Sequence, residues 1–371
     1  MSKGLEGVVA AATAISYIDG LNGRLYYRGI DINDLAEHST FEETTALLWY
    51  GRLPTRGQID SFQRKFHDNR QIPNEILALL MSLPKKTAPM EVLRTAVSAL
   101  SSYDPEDHDN SLEANVHKSI RLTASMPTIV AAWDRIRNGR WPILPSPALG
   151  HAANFLYMLS GHEPDPAAAR VLDTCLILHA DHGLNASTFS ARITASTLSD
   201  LHSAITSALG TLKGPLHGGA NEQVMHMLRE IGEVDRAEQY IRGAINAKKK
   251  IMGFGHRVYK ADDPRAAWLQ RLSRSLAESS GNHKWYEMSE RIRQIIQESK
   301  PLPVNVDFYS ASVYYTLGIP IDLFTPIFAI SRVAGWTAHV YEQYSDNRLI
   351  RPESQYIGPL DVRYAPIDER N

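Results

Sequence analysis

Three short runs of the chain hold residues suited to moving protons at a carbonyl group. Gly214-Pro215-Leu216-His217-Gly218-Gly219-Ala220-Asn221 and Gly253-Phe254-Gly255-His256-Arg257-Val258-Tyr259-Lys260 each frame a histidine, and Asn305-Val306-Asp307-Phe308 carries an aspartate in apolar company. An imidazole changes charge near neutral pH, and a carboxylate shielded from water can take a proton from carbon. His217 precedes a predicted helix beginning near Asn221, whose positive end would depress its pKa and leave a neutral donor for an oxyanion. The same glycines would serve equally to bring two helices close. The glycines before His256 let a ligand approach the backbone, but no strand precedes them and the third glycine of a dinucleotide fingerprint is absent. Asp307 reads two ways, as a desolvated base or as the N-cap of the helix that follows.

The charges nearby call for an anion. Lys248, Lys249, Lys250, Arg257, Lys260 and Arg265 are opposed over that stretch only by Asp262 and Asp263, within a chain whose formal charge is -2. The overall balance argues against a nucleic-acid partner, while the patch predicts an anionic ligand. Arg265, Arg332 and Arg351 offer planar forks that match carboxylates, as a di- or tricarboxylic acid would need. Arg332 sits in a mostly apolar helical run and requires a carboxylate partner there. His179, Asp181 and His182 resemble a metal cluster, yet the two histidines supply too few ligands and no Cys/His pair follows at a fitting spacing. His182 ends an apolar helix before Gly183, where a partly charged imidazole could hold a carboxylate or carbonyl oxygen. His179 is assigned to the core.

The elements that must position these residues are almost all helical. Thr40-Phe41-Glu42-Glu43 reads as a capping box opening Phe41–Tyr50, and Thr55 can cap a segment with Ile59, Phe62 and Phe66 on one face. Further helices are predicted at Asn74–Ser82, Glu91–Ser102, Asn115–Ser125, Pro127–Arg137, Pro147–Leu159, Pro166–Ala180, Ser199–Leu212 and Asn221–Ile231. Ala237–Lys250, Ala266–Glu278, Tyr286–Glu298, Asp307–Leu317 and Pro326–Gln343 complete the set. The one strand signal is a hairpin, Ala14–Ile18 with Arg24–Arg28, around Asp19-Gly20-Leu21-Asn22-Gly23.

At 371 residues and 43% hydrophobic, the chain has room for two or three domains. Glycines and prolines thicken from Gly210 to Gly219 and from Pro301 to Pro326, marking where a smaller unit, residues 213–322, would leave and rejoin a larger body made of 1–212 and 323–371. A hinge there would close a cleft over substrate and keep water out. Cys175 is the only cysteine, so no internal disulfide forms, and no run reaches the roughly 18 apolar residues of a membrane span. A cytoplasmic enzyme is expected.

Taken together, the three runs in this order resemble the citrate synthase family, including its 2-methylcitrate synthases, in a match from Tyr17-Ile18-Asp19-Gly20 and Leu25-Tyr26-Tyr27-Arg28-Gly29 to Asn347-Arg348-Leu349-Ile350-Arg351-Pro352. The resemblance implies an all-α fold, a large helical domain plus a small mobile one, assembled as a homodimer with shared active sites. It implies Asp307 as the base that takes a methyl proton from acetyl-CoA, His217 as the holder of the enol oxygen and His256 as the group that polarises the oxaloacetate carbonyl. It gives His182, Arg265 and Arg332 to oxaloacetate and citrate oxygens, with Arg351 reaching in from a partner subunit. It places coenzyme A, a co-substrate and not a tightly bound cofactor, along Lys250, Ile251, Met252, Gly253 and Phe254, and calls for no metal. The rival activities are 2-methylcitrate synthesis from propanoyl-CoA, a metal-dependent hydrolase built on His179, Asp181 and His182, and a non-catalytic CoA-binding protein.

Overall fold

A small antiparallel sheet precedes a body of helices in the computed structural model, which describes residues 3–299 and 302–370. Strands β1 (Ser16–Asp19) and β2 (Arg24–Tyr27) pair with Ser16 opposite Tyr27 and Asp19 opposite Arg24, and β3 (Ile30–Asp31) adds a short edge that the sequence did not signal. Asp19 Oδ1 accepts the backbone N–H groups of Leu21 and Asn22, which folds the turn.

Among the described residues sixteen α-helices follow. The first six are α1 (Ile32–His38), α2 (Phe41–Tyr50), α3 (Arg56–Asp68), α4 (Asn74–Ser82), α5 (Pro89–Leu100) and α6 (Leu112–Arg137). Thr40 caps α2 through Glu43 N–H, and the reciprocal bond that defines a capping box belongs instead to α3, where Gln58 accepts from Thr55 N–H at 2.9 Å. The two helices expected at 115–137 are one, because Pro127 lies inside α6 and both sides of the helix there are buried; packing outweighs the missing N–H.

The chain continues through α7 (His151–Ser160), α8 (Pro166–His179), α9 (Ala186–Ser196), α10 (Leu201–Leu212), α11 (Ala220–Ile231) and α12 (Ala237–Asn246). It ends with α13 (Pro264–Ser280), α14 (Lys284–Ser299), α15 (Val306–Thr316) and α16 (Phe324–Ser345). Helix α12 stops four residues short of its predicted end, with Lys248 at φ 54, so the three lysines leave the helix as a loop.

Helix α16 is central to the packing: it lies on α2, α6, α8, α9 and α10, and is buried on every side from Phe324 to Tyr341. A helix apolar all round belongs in a core. Its approach to the end of α8 depends on Gly335, where an added Cβ would lie 2.5 Å from Asp181 Oδ1. Helices α11 to α15 pack on one another and meet the rest through α13 on α1 and α8 and through α11 on α16. Pro301, where the second Gly/Pro-rich stretch begins, lies outside the described residues.

Candidate active site

The loop between α12 and α13 and the start of α15 are stitched together. Asn305 N–H donates to Gly253 O at 3.0 Å, Gly255 N–H donates to Pro303 O at 2.8 Å, and Asn305 Nδ2 donates to Gly255 O at 3.0 Å. His256 and Asp307, far apart in sequence, therefore emerge from one short two-stranded ribbon. Gly253 takes φ 86, and a Cβ there would fall 2.7 Å from the Phe308 ring, so its missing side chain admits Phe308 and not a ligand. Gly255 has open space around it.

Asp307 is not the cap of α15. Asn305 is, accepting the Asp307 backbone N–H at 3.1 Å. The Asp307 carboxylate, half-buried, has no hydrogen-bond partner among the described residues, and burial pushes it up to about 7 against the opposing pull of Arg265 and Arg332. The N-cap reading therefore falls to Asn305, and the Asp307 carboxylate is left desolvated.

Three imidazoles are held neutral. His256 Nδ1 accepts the backbone N–H groups of Val258 and Tyr259, both at 3.0 Å, which leaves its proton on Nε2. His217 Nε2 accepts the backbone N–H of Ser187 at 3.3 Å beside the Ser187 hydroxyl at 2.8 Å, which leaves its proton on Nδ1. Burial first, then Arg332, lowers His217 to about 4, and burial first, then Arg265, does the same for His256. His182 lies well below its ordinary value through burial and the charges of Arg265 and Arg332, so the partly charged imidazole expected at a helix end is instead uncharged; α8 has already ended at His179. His182 and His256 rings meet edge to face at 5.4 Å.

The arginines divide the anion work differently than their types suggest. Arg265 is already paired: Nε and Nη2 meet Asp263 at 2.9 and 2.7 Å, with both side chains buried, so Nη1 is the nitrogen left unengaged for a ligand. Arg332 is 1% exposed and has no carboxylate bonded to it; Nε donates to His179 O at 2.6 Å, and the guanidinium lies 4.6 Å from the Phe328 ring centre. Burial pulls it down to about 10. The required carboxylate is missing from the described residues, which leaves the terminal nitrogens for an incoming one. Arg332 shares α16 with Trp336, whose Nε1 donates to Ser187 Oγ at 3.1 Å, so one helix serves both Arg332 and the partner of His217. Arg351 stands apart: it is exposed in the segment after α16, with no hydrogen bond or ion pair to the other site residues.

Of the CoA candidates, Lys250 is exposed, Ile251 and Met252 are half-buried, and Phe254 packs on Phe308 with ring centres 4.6 Å apart. The metal trio is not assembled. His179 Nδ1 bonds Cys175 O at 2.8 Å and its ring sits 5.1 Å from Phe328 in the core, as assigned, while Asp181 accepts from Ser16 Oγ at 2.5 Å and pairs with His339 at 3.3 Å. His182, His256 and Asp263 do converge within 4.8 Å, but both Asp263 oxygens are taken by Arg265. Two surface depressions, about 660 Å³ beside Ser101–Asp109 and about 550 Å³ lined mainly by α7, α8 and the end of α13, hold none of these side chains.

A desolvated carboxyl, three neutral imidazoles and a buried cation with no carboxylate bonded to it among the described residues fit addition of a carbon acid to an anionic carbonyl compound. Residues 4–353 match the family model described as citrate synthase, C-terminal domain. "Citrate synthase 2" of Bacillus subtilis is 52% identical over 370 residues, covering 100% of this chain and 99% of that protein. The chain belongs to the citrate synthase family. A "Citrate/2-methylcitrate synthase" of Bacillus subtilis is 44% identical, covering 96% of each chain. The crystal structure of a ternary complex of citrate synthase from Thermoplasma acidophilum with carboxymethyl coenzyme A and oxaloacetate superposes with a TM-score of 0.94 at 34% identity, covering 100% of this chain and 99% of that one. Citrate synthases are all-α acyl-transferring enzymes that take acetyl-CoA as co-substrate without a tightly bound cofactor, and the helical fold agrees.

Pattern reading missed Ser187, Asn305, Tyr259 and Asp263, which orient the groups it found. Asp263 had a signal, because Asp-Pro before an arginine opens a helix; its side chain caps α13 by accepting Arg265 N–H at 3.0 Å. Ser187 had none, since α9 shows no apolar stripe.

Proposed function

We propose that the chain condenses acetyl-CoA with oxaloacetate and water to give citrate and CoA, the entry step of the tricarboxylic acid cycle, with the residues above in distinct roles. Asp307 takes a proton from the acetyl methyl group, and the His217 Nδ1–H holds the enol oxygen that results. The His256 Nε2–H polarises the ketone of oxaloacetate and protonates the alkoxide as the carbon–carbon bond forms. Hydrolysis of the citryl thioester then frees CoA. His182, Arg332 and the free Nη1 of Arg265 hold oxaloacetate, and residues 250–254 take the CoA chain. The observation that supports this reading is the Asp307 carboxyl, without a hydrogen-bond partner among the described residues and raised to about 7 by burial: it is basic enough to ionise an activated methyl group once a neutral donor receives the oxygen.

Residues 213–322 form the small mobile domain in this reading, a division supported by the mutual packing of α11 to α15. A homodimer follows from the segment after α16, where Ile357, Leu360, Val362 and Tyr364 are each more than 70% exposed. Such an apolar stretch calls for cover, and a partner's surface would take it while Arg351 completes the partner's site. No described helix is long and apolar enough to cross a membrane, which is compatible with a cytoplasmic enzyme.

The deciding experiment compares kcat/KM for acetyl-CoA and propanoyl-CoA with oxaloacetate. We expect acetyl-CoA to be preferred by about 10-fold or more, the scale of one methylene in an apolar pocket. A preference for propanoyl-CoA would make the chain a 2-methylcitrate synthase, and no turnover with either would overturn the assignment of roles.

A further inference from the structure

Tyr259 follows His256 by three residues and is 1% exposed. Its ring centre lies 4.7 Å from that of His256 and 5.5 Å from that of His182, so one side chain packs against both imidazoles on the oxaloacetate side. Its backbone N–H donates to His256 Nδ1 at 3.0 Å, and its hydroxyl lies 3.2 Å from His182 Nε2. That nitrogen is the hydroxyl's only hydrogen-bond partner among the described residues.

The direction of the second bond follows from what each atom can do. A buried hydroxyl hydrogen needs an acceptor, and His182 Nε2 is the one within reach. Burial raises the Tyr259 phenol far above its ordinary value, which keeps the hydroxyl a donor. His182 Nε2 therefore accepts, and the imidazole proton sits on Nδ1, which has no hydrogen-bond partner among the described residues and is not among the atoms sealed from solvent. The loop carrying Tyr259 is itself seated by the hairpin turn, through Lys260 N–H donating to Gly20 O at 2.7 Å.

We propose that Tyr259 is a positioning residue for the keto-acid substrate: its hydroxyl holds His182 as the Nδ1–H donor, and its backbone N–H holds His256 as the Nε2–H donor, so that both imidazoles present a proton to oxaloacetate. This rests on the placement of oxaloacetate against His182 and His256. Arginines supply the charge that binds the substrate, but a guanidinium cannot choose a tautomer. Tyr259 thus bears on both donors, alone at His182 and together with the Val258 N–H at His256.

The test is Tyr259→Phe, which removes one oxygen and keeps the ring. The KM for oxaloacetate rises about tenfold, the scale of one lost orienting hydrogen bond, while the KM for acetyl-CoA stays within about twofold and kcat changes less than the oxaloacetate KM. In a His182→Gln background the same substitution adds less than about twofold. Equal changes in both KM values, or no change in either, overturn the proposal. If His182→Gln alone leaves the oxaloacetate KM unchanged, the placement of the substrate falls first and Tyr259 with it. Should the Phe variant fail to fold, nitrogen NMR of histidine-labelled native enzyme decides instead. With the His182 signal assigned by its loss in His182→Gln, an unprotonated Nε2 is expected, and a protonated Nε2 overturns the proposal.

Discussion

Asn305 donates its side-chain amide to the Gly255 carbonyl at 3.0 Å while its own Oδ1 caps α15 at the Asp307 N–H. One side chain thus fixes the distance between the loop that presents His256 and the helix that presents Asp307. Asn305→Ala cuts both ties. We expect kcat to fall by on the order of 10- to 100-fold, as misplacement of reacting groups does, with about 1 kcal/mol of stability lost through the cap. Asn305→Asp keeps the cap and loses the donor, so its unfolding midpoint stays close to that of the parent while kcat still falls. Steady-state rates and thermal melts separate the two.

The raised carboxyl of Asp307 gives a pH limb and a stability cost of predictable sign. As a base it must be ionised, so kcat/KM for acetyl-CoA falls about tenfold per pH unit below about 7. Asp307→Asn removes the base and loses on the order of 100- to 10,000-fold in kcat. The native group titrates near 7 and the unfolded one at its ordinary 3.8, so between these values the native state holds the extra proton and stability declines as pH rises, levelling above 7. Asparagine never ionises. Its unfolding midpoint therefore gains on the parent's between pH 4 and 7 and keeps that gain at pH 8, whereas a constant difference at all pH values would refute the burial of the charge.

Arg332 sets function against stability. Replacing it with methionine removes a buried cation that has no bonded carboxylate, a change often neutral or stabilising by about 1–4 kcal/mol. The unfolding midpoint of Arg332→Met is expected to equal or exceed that of the parent, and the KM for oxaloacetate to rise on the order of 10- to 100-fold. A marked loss of stability would mean that the bond to His179 O is the main role of this residue.

Gly253→Ala tests the ribbon from the other side. The φ of 86 costs a side chain about 1–2 kcal/mol, and the new Cβ would meet Phe308 at 2.7 Å, adding about 1–3 kcal/mol of overpacking. Phe308 adjoins Asp307, so strain relieved there moves the base. A lower melting midpoint with a raised KM for acetyl-CoA is expected; unchanged kinetics would show that the ribbon tolerates the shift.

Removal of metals should change nothing. Asp263, the carboxylate that converges with His182 and His256, is neutralised by Arg265 at 2.7 Å, and the turnover derived above needs no Lewis acid. Activity should survive exhaustive chelation in full, and its loss and recovery with a divalent cation would restore the hydrolase reading.

How far the sequence carries depends on what kind of contact an element makes. Helices that bury an aliphatic stripe are legible from period alone: Phe41–Tyr50 and Asn74–Ser82 appear with the expected bounds, and α11, α15 and α16 start or end within two residues of theirs. Helix α9 is invisible to the same test because its buried residues are Ser187, Thr188, Ala191, Arg192, Ala195 and Ser196, small or polar groups that let α10 and α16 come close. His217, His256 and Asp307, the residues proposed to react, stand out by their glycine and aromatic settings. Their supports do not, since the hydroxyl of Ser187 or Tyr259 gains its meaning only from a partner 30 or 77 residues away. The charge state of His182 also needed the fold, because the two arginines that suppress it arrive from α13 and α16.

The backbone amide of Ala14 donates to Glu342 at 2.7 Å, across 328 positions of sequence. Asp181, next to His182, is likewise held between Ser16 near one end of the chain and His339 near the other. The groups of the proposed site therefore cannot reach their final arrangement until α16 has left the ribosome and closed against segments made long before it. Contacts of such long sequence separation form slowly and leave apolar faces uncovered while they wait. Recovery of activity during refolding should accordingly lag the recovery of helix content, with α16 docking as the step that separates the two.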